Sequence, residues 1–543
     1  MESIEIKTSK NHGTHMKFSA ISGKRKSRSS CLFNRVLLIF LIFSVTACTT
    51  LQKDFPRQES YALLPGTSGT LADAGEKIRA NLNESQSGFM MLDRNDQALQ
   101  WRLALIDLAE QTLDIQYFIW HGDEVGILLL TRLLRAADRG VRVRLLVDDI
   151  LIQKGDRTIA VLSHHPNFEI RVFNPVKTRT SSAIFRGLEF VFHLKRLNHR
   201  MHNKLFVADN RFAIVGGRNI GNEYFGLSKK FNFSDLEVLA AGPIARQISR
   251  SFDIYWNSKW AFPGQGLAPE ASSEKHLEKL RQYIEKWLAD KKHQDLLSTF
   301  SMTPRPWTKE LNHFIANRHP GTGTVVYDKP LIGLSVPPVQ LVESMADLAE
   351  DAVDEILISS PYFIPDAGFL SGLEEFRQKG VRIKILTNSL ASTNHAIVHS
   401  AFRKYRRAVV EKGGELYEFR EDAGVKPLYD TPPVESKYMG LHSKVFVYDR
   451  HMVFVGSLNL DPRSIYINTE MGLLIDSFGL AADISAVIDR DLEPDNSWKV
   501  HLDDQGKLSW VSGAGTIYKE PARNSWQRFQ AGFFGLLPIE DQL

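Results

Sequence analysis

Two tracts carry residue types from which bond-making chemistry is built: His202-Asn203-Lys204-Leu205-Phe206-Val207-Ala208-Asp209 and His442-Ser443-Lys444-Val445-Phe446-Val447-Tyr448-Asp449, 240 positions apart. In each, histidine and lysine stand two residues apart ahead of an apolar run, and residues at that spacing on a strand share a face. Fourteen residues after each histidine comes a small-residue turn, Gly216-Gly217-Arg218-Asn219 in one tract and Gly456-Ser457-Leu458-Asn459 in the other. Such a turn lets backbone N–H groups approach an anion, and the asparagine adds an amide donor. Brought to one cleft, the tracts supply two imidazoles, two ammonium groups and two carboxamides. That set suits a phosphodiester. Lysines and amides stabilise charge building on phosphorus oxygens without a metal. One imidazole attacks phosphorus while neutral, and the other protonates the departing alkoxide. Imidazole titrates near neutrality, so either role is open to either ring. The chemistry requires neither a metal nor an organic cofactor.

The elements that must position these groups are also duplicated. Asp107-Leu108-Ala109-Glu110 returns as Asp347-Leu348-Ala349-Glu350, and Arg139–Leu146 returns as Lys379–Leu386, both at an offset of 240. Three segments in one register mean a duplicated domain, since the period is far too long for a solenoid unit. Helices at about 98–111 and 340–353 lead into strands Leu113–Trp120 and Glu355–Tyr362. Second helices (124–139 and 367–379) end at the C-cap glycines Gly140 and Gly380, followed by strands Val141–Val147 and Val381–Leu386. This alternation predicts an α/β fold with helices on both faces of a largely buried sheet, repeated in two halves. The domains expected are 86–265 and 336–495, with a helical insertion and Pro/Gly-rich linker at 266–335. A loose tether precedes them at 48–85, and a hairpin and amphipathic helix follow at 496–543. Trp526, Phe529 and Phe533 read as the core-covering side of that last helix, with membrane contact as the alternative.

Of 543 residues, 43% are hydrophobic and 24% charged, an ordinary globular balance that argues against a disordered or collagen-like chain. The net charge is +4, and +6 of it lies in residues 1–47, leaving −2 for the rest. A near-neutral body disfavours nucleic acid as the partner. The basic leader runs into Val36–Phe43 and then Val45-Thr46-Ala47-Cys48, the pattern of an export signal over 1–47. Its end resembles a bacterial lipobox, which makes Cys48 a lipidation site; an uncleaved signal anchor is the alternative. Cys31 lies within the leader, so cleavage leaves no second thiol to pair with Cys48. The location expected is the bacterial cell envelope, as a membrane-anchored lipoprotein. Inner or outer membrane stays open, with Thr49 favouring the outer.

The paired His-x-Lys-x4-Asp motifs and their downstream turns resemble the phospholipase D superfamily over nearly all of residues 85–543. Arg200–Lys204, Gly216–Gly221, Leu386–Ala391, Asn459–Ser464 and Tyr518–Pro521 are similar to the bacterial cardiolipin synthase C type within it. The resemblance implies two duplicated α/β sandwich halves with mixed sheets, related by a pseudo-twofold axis and sharing one active-site cleft, with a phosphohistidine formed on His202 and His442 as acid/base; the reverse order is also open. It implies supporting roles for Asp209 and Asp449 beside Lys204 and Lys444, and phosphate binding by Gly216, Gly217, Asn219, Gly456, Ser457 and Asn459. An acid orients each histidine: Asp235 is the counterpart in the first half and Glu470 in the second. The reaction implied is transfer of a phosphatidyl group to phosphatidylglycerol, with phosphatidylethanolamine as a second candidate donor, at a membrane surface. Phospholipid hydrolysis, a nuclease and a non-catalytic lipid-binding protein are the alternatives, and a protein partner is left open. Lys177–Arg200, rich in Lys, Arg and Phe, reads either as a headgroup-binding loop or as a solvated one. Among the remaining histidines, His399 is the one that could line the cleft.

Overall fold

The computed structural model describes residues 51, 55–151, 155–179, 189, 192–330 and 340–537. Helices Asn95–Leu108 and Glu124–Asp138 flank strand Thr112–Tyr117 and deliver the chain to strand Arg142–Asp148. The second half repeats this with Gln340–Glu350, Glu355–Ser359, Ala367–Lys379 and Arg382–Asn388. Both expected C-cap glycines are left-handed, Gly140 at φ 95° and Gly380 at φ 84°. Asp123 and Asp366 cap the second helices at their N-termini by accepting from the N–H of Gly126 and Phe369.

In the first half, Phe168–Phe173, Arg142–Asp148 and Thr112–Tyr117 run parallel, and Leu205–Ala208, Phe212–Gly216 and Glu237–Ala241 follow antiparallel. Glu415–Phe419, Arg382–Asn388, Glu355–Ser359, Val445–Tyr448, Met452–Gly456 and Met471–Asp476 repeat the arrangement. Strands Gln86–Leu92 and His319–Tyr327 pair with each other and with the inner edge of each half, completing one sheet of 18 strands among the described residues. Alternation along the motif strands sorts their side chains between layers. Leu205 and Val207 meet Val445 and Val447 in a core shared by both halves, whereas Phe206 and Phe446 point into the separate outer cores.

The structure differs from the sequence reading in three peripheral places. The 266–335 joint contains helix Thr308–Asn317 and the strand His319–Tyr327 that fuses the sheets. Its glycines are there for close approach: a Cβ on Gly321 would lie 2.6 Å from the carbonyl oxygen of Asp476. The 48–85 tether is tied down where it is described. Arg144, Arg171 and Arg142 donate to the carbonyls of Ser60, Gln58 and Tyr61 at 2.7, 2.5 and 2.8 Å, and helix Thr70–Arg79 follows. A segment held by side chains from elsewhere carries no periodicity of its own. The last helix, Ser525–Phe534, leaves Trp526, Phe529 and Phe533 54–63% exposed and buries only Ala531. It does not cover the core with its aromatics. The insertion helix Glu274–Ala289 does bury Leu277, Ile284 and Trp287 against the first half.

Candidate active site

His202 and Lys204 immediately precede strand Leu205–Ala208, and His442 and Lys444 precede Val445–Tyr448. All four are buried, the histidines 6% and 4% exposed. Each lysine Nζ turns back to donate to the carbonyl of its own histidine at 2.5 Å, fixing the ammonium beside the ring. The motif aspartates lie past the other end of these strands and do not line the site. Asp209 and Asn210, like Asp449 and Arg450, adopt φ of 48–51°, the left-handed pair of a tight hairpin. The Asp209 carboxylate accepts from the N–H of Glu110, Gln111 and Thr112, and that of Asp449 from Val353, Asp354 and Glu355. Each therefore anchors the helix-to-strand turn of its own half.

The orienting acids are exchanged between the halves. His202 Nδ1 lies 2.9 and 2.8 Å from the two carboxylate oxygens of Glu470, and His442 Nδ1 lies 2.6 Å from Asp235 Oδ2. The pairing of each acid with the histidine of its own half is corrected. The reason is a backbone crossing. Strand Phe231–Ser234, leading to Asp235, pairs in parallel with Tyr438–Leu441, leading to His442, and the His442 N–H donates to the carbonyl of Ser234 at 2.7 Å. On the other side Met201 bridges Thr469, and the His202 N–H donates to the Thr469 carbonyl at 2.9 Å. Neither half is complete alone.

The small-residue turns serve packing. Gly216 and Gly456 end their strands where a Cβ would sit 2.7 Å from Glu237 Cα and 2.4 Å from the carbonyl oxygen of Met471. The N–H groups of Gly456 and Ser457 are used by the carbonyls of Lys444 and Met471, so they are not a free anion cradle. A Cβ on Gly217 would meet Asp235 Oδ1 at 2.5 Å, whereas Ser457 Oγ donates to Glu470 Oε2 at 2.5 Å. Asn219 receives the Ile119 N–H and donates to Tyr224 Oη. Asn459 donates to Ser464 Oγ and keeps a buried carbonyl oxygen without a partner among the described residues.

Burial dominates the electrostatics. It lowers both imidazoles well below their ordinary value, and the charges of Lys204 and Lys444 act on each in the same direction. It also pushes Glu470 up to about 8 and Asp235 to about 6, against the lysine charges, and brings Lys204 down to about 7 and Lys444 to about 8. Burial and the lysine charges together favour neutral imidazoles in this interior. With Nδ1–H donating to the acid, Nε2 is the basic nitrogen of each ring.

Several site residues were invisible to motif reading. Phe118 packs edge-on to His202 at 4.8 Å between ring centroids, and Tyr224 and Phe233 flank His442 at 5.2 and 4.8 Å. His395 packs its ring edge-on to Tyr362 at 5.4 Å between centroids. His399 is engaged by Glu520 and Arg406. Asn388 clamps the Leu441 backbone through both amide atoms, setting the entry to His442. Of these residues only Asn388, in the Leu386–Ala391 tract, carried a sequence signal. In Lys177–Arg200, Arg179 pairs with Asp149 and Asp156, Arg196 with Glu189 and Arg200 with Asp148, so these charges are internal. Phe185, Arg186, Phe190 and Cys48 lie outside the described residues.

Comparison with known proteins gives the same duplicated layout. The family model "Cardiolipin synthase, PLD-like domain" matches residues 103–256 and again 345–492. Cardiolipin synthase C of Escherichia coli (strain K12) is 35% identical over 474 residues, covering 84% of this chain and 96% of that protein. The major cardiolipin synthase ClsA of Bacillus subtilis (strain 168) is 26% identical, covering 76% of this chain and 70% of that one. Among solved structures, phosphatidylserine synthase of Haemophilus influenzae Rd KW20 superposes with a TM-score of 0.49 at 14% identity, over 77% of this chain and 91% of that one. With both copies of the motif inside the matched segments, the chain belongs to the cardiolipin synthase family with phospholipase D-like domains.

Proposed function

We propose that this protein is a phosphatidyltransferase making cardiolipin from a phospholipid donor and phosphatidylglycerol. The observation that carries the reading is the pair of crossed, buried His–acid contacts in a chain matched by that family in both halves. In the first step His202 Nε2 attacks the donor phosphorus. A P–N bond forms and the P–O bond to the headgroup alcohol breaks; His442, which takes up a proton on Nε2 as the anionic phosphodiester binds, delivers that proton to the departing oxygen. In the second step the terminal hydroxyl of phosphatidylglycerol attacks. The P–O bond to the acceptor forms, the P–N bond breaks, and His442 takes the hydroxyl proton. Lys204 and Lys444 balance charge on the phosphorus oxygens. Asp235 and Glu470 hold the rings in the Nδ1–H tautomer, as an orienting acid does in a catalytic triad.

Purified full-length enzyme given phosphatidylglycerol, with and without phosphatidylethanolamine, is expected to form cardiolipin; phosphatidic acid alone would make it a hydrolase. His442→Asn given donor labelled in its phosphate is expected to retain label on the peptide containing His202. Label recovered at residue 442 in His202→Asn would reverse the order. The same proposal places the protein in the bacterial envelope as a lipoprotein acylated on Cys48. Mass spectrometry of the mature N-terminus tests it, and an unmodified or uncleaved leader would overturn that part alone.

A further inference from the structure

We propose that the outward face of the last helix, formed by Trp526, Phe529, Phe533 and Leu536, seats the protein on an anionic phospholipid bilayer beside the entrance to its site. This rests on the phospholipid-substrate reading above and assigns the surface through which the substrate is reached. The four side chains recur every three or four residues along Ser525–Phe534 and just beyond it, and are 63, 61, 54 and 82% exposed. Trp526 and Phe529 stack at 5.2 Å, making one continuous apolar strip. Soluble proteins seldom leave such a strip uncovered, and aromatic rings with a basic border are the composition of an interfacial helix.

The strip is outward because the helix is pinned by its other side. Gln527 and Arg523 donate to the carbonyls of Leu390 and Ala391 at 2.5 Å each, and Arg523 also to Thr393 at 2.7 Å. Just upstream, Glu520 accepts from Arg406 and His399 at 2.6 and 2.9 Å. This mooring leads to the reacting groups. The helix packs on Ala396–Phe402, and Arg523 covers the ring of Phe231 at 5.4 Å. Phe231 meets Phe233, which meets His442.

Charge favours an anionic surface over a second copy of this chain. Ser525–Phe534 contains no acid and carries Arg528, with exposed Lys519, Arg403 and Lys404 nearby, whereas residues 48–543 together are net −2. Anionic headgroups attract such a basic border while the rings enter the acyl boundary.

The test uses full-length protein and vesicles of phosphatidylglycerol and phosphatidylcholine with brominated acyl chains. Trp526 fluorescence, taken as the difference between wild type and Trp526→Phe, is expected to be quenched. No quenched component at Trp526 would overturn the proposal. The triple variant Trp526→Ser/Phe529→Ser/Phe533→Ser is expected to lose about 10-fold or more of its activity on phosphatidylglycerol vesicles and to keep wild-type activity in detergent mixed micelles. Equal losses in both, or none, would overturn it. So would a wild-type dimer that the triple variant converts to monomer with vesicle activity unchanged. Failure of wild type to form cardiolipin in micelles would instead sink the enzymatic reading and leave the quenching result standing.

Discussion

The two halves present the same imidazole and ammonium to the centre but are built differently behind them. In the first half Glu237 lies between Arg102, 2.6 Å away, and Arg218, 3.3 Å away, all at most 1% exposed, and Arg102 also donates to Tyr117 Oη. At the matching places the second half has Val342, Leu458 and Gly472, and the ring of Phe454 fills the space a Gly472 side chain would take. One half is supported by a buried ionic cluster and the other by apolar packing, solutions that often stabilise a core to a similar extent. The crossed His–acid contact, by contrast, occurs in both copies. Support is thus interchangeable, whereas the exchange of acids between halves is common to both and makes the site depend on their association.

The sharpest way to break this symmetry is at the rings. His202→Ala and His442→Ala should each lower cardiolipin formation by about 10⁴-fold or more with the fold retained by circular dichroism. Retained activity in either would mean one half suffices. Next come the acids. Asp235→Asn and Glu470→Gln should each cost about 10³-fold. The crossing predicts that ring NMR signals of His442 move in the first variant and those of His202 in the second; the opposite assignment would refute the exchange. Removing the shared acid of the ionic cluster, Glu237→Gln, strands two buried guanidinium groups and should cost about 3–5 kcal/mol in urea unfolding. Glu520 comes next. Burial alone would raise it, but the hydrogen bond from His399 and the charge of Arg406 hold it well below the usual carboxylate range. Its stabilisation is therefore present above the unfolded value near 4.3 and lost as pH falls below that. Glu520→Gln should cost about 3 kcal/mol at neutral pH, a gap from wild type that closes in acid titrations of urea stability. The smallest effect is expected at Ser457→Gly, which makes the second turn resemble the first and gives up one hydroxyl bridge, about 1 kcal/mol. The reciprocal Gly217→Ser should be worse, because its Cβ must displace the Asp235 carboxylate.

Legibility followed the kind of interaction. Helices and strands of both halves, the two capping glycines and the His-x-Lys pairs were readable, because periodicity and repetition are local or act at one fixed offset. The fusing strand His319–Tyr327 was not, since Gly321 is chosen by the close approach of Asp476 and Ser477 and Gly323 by that of Phe89 and Ile244, and by composition both look like a loop. Residues 55–69 escaped for a related reason: their order is imposed by Arg142, Arg144 and Arg171, far along the chain. The aromatic stripe of the last helix was visible, but periodicity says only that one face differs from the other. Which face is moored was decided by Arg523, Gln527 and Glu520.

By itself the amino-acid order determined a duplicated α/β framework and the identity of the buried imidazole, ammonium and carboxylate groups. Which carboxylate serves which imidazole was decided only by the tertiary structure. Parallel pairing of Phe231–Ser234 with Tyr438–Leu441 carries Asp235 to His442, the Met201–Thr469 bridge carries Glu470 to His202, and contacts between residues 207 or 268 positions apart leave no spacing to read.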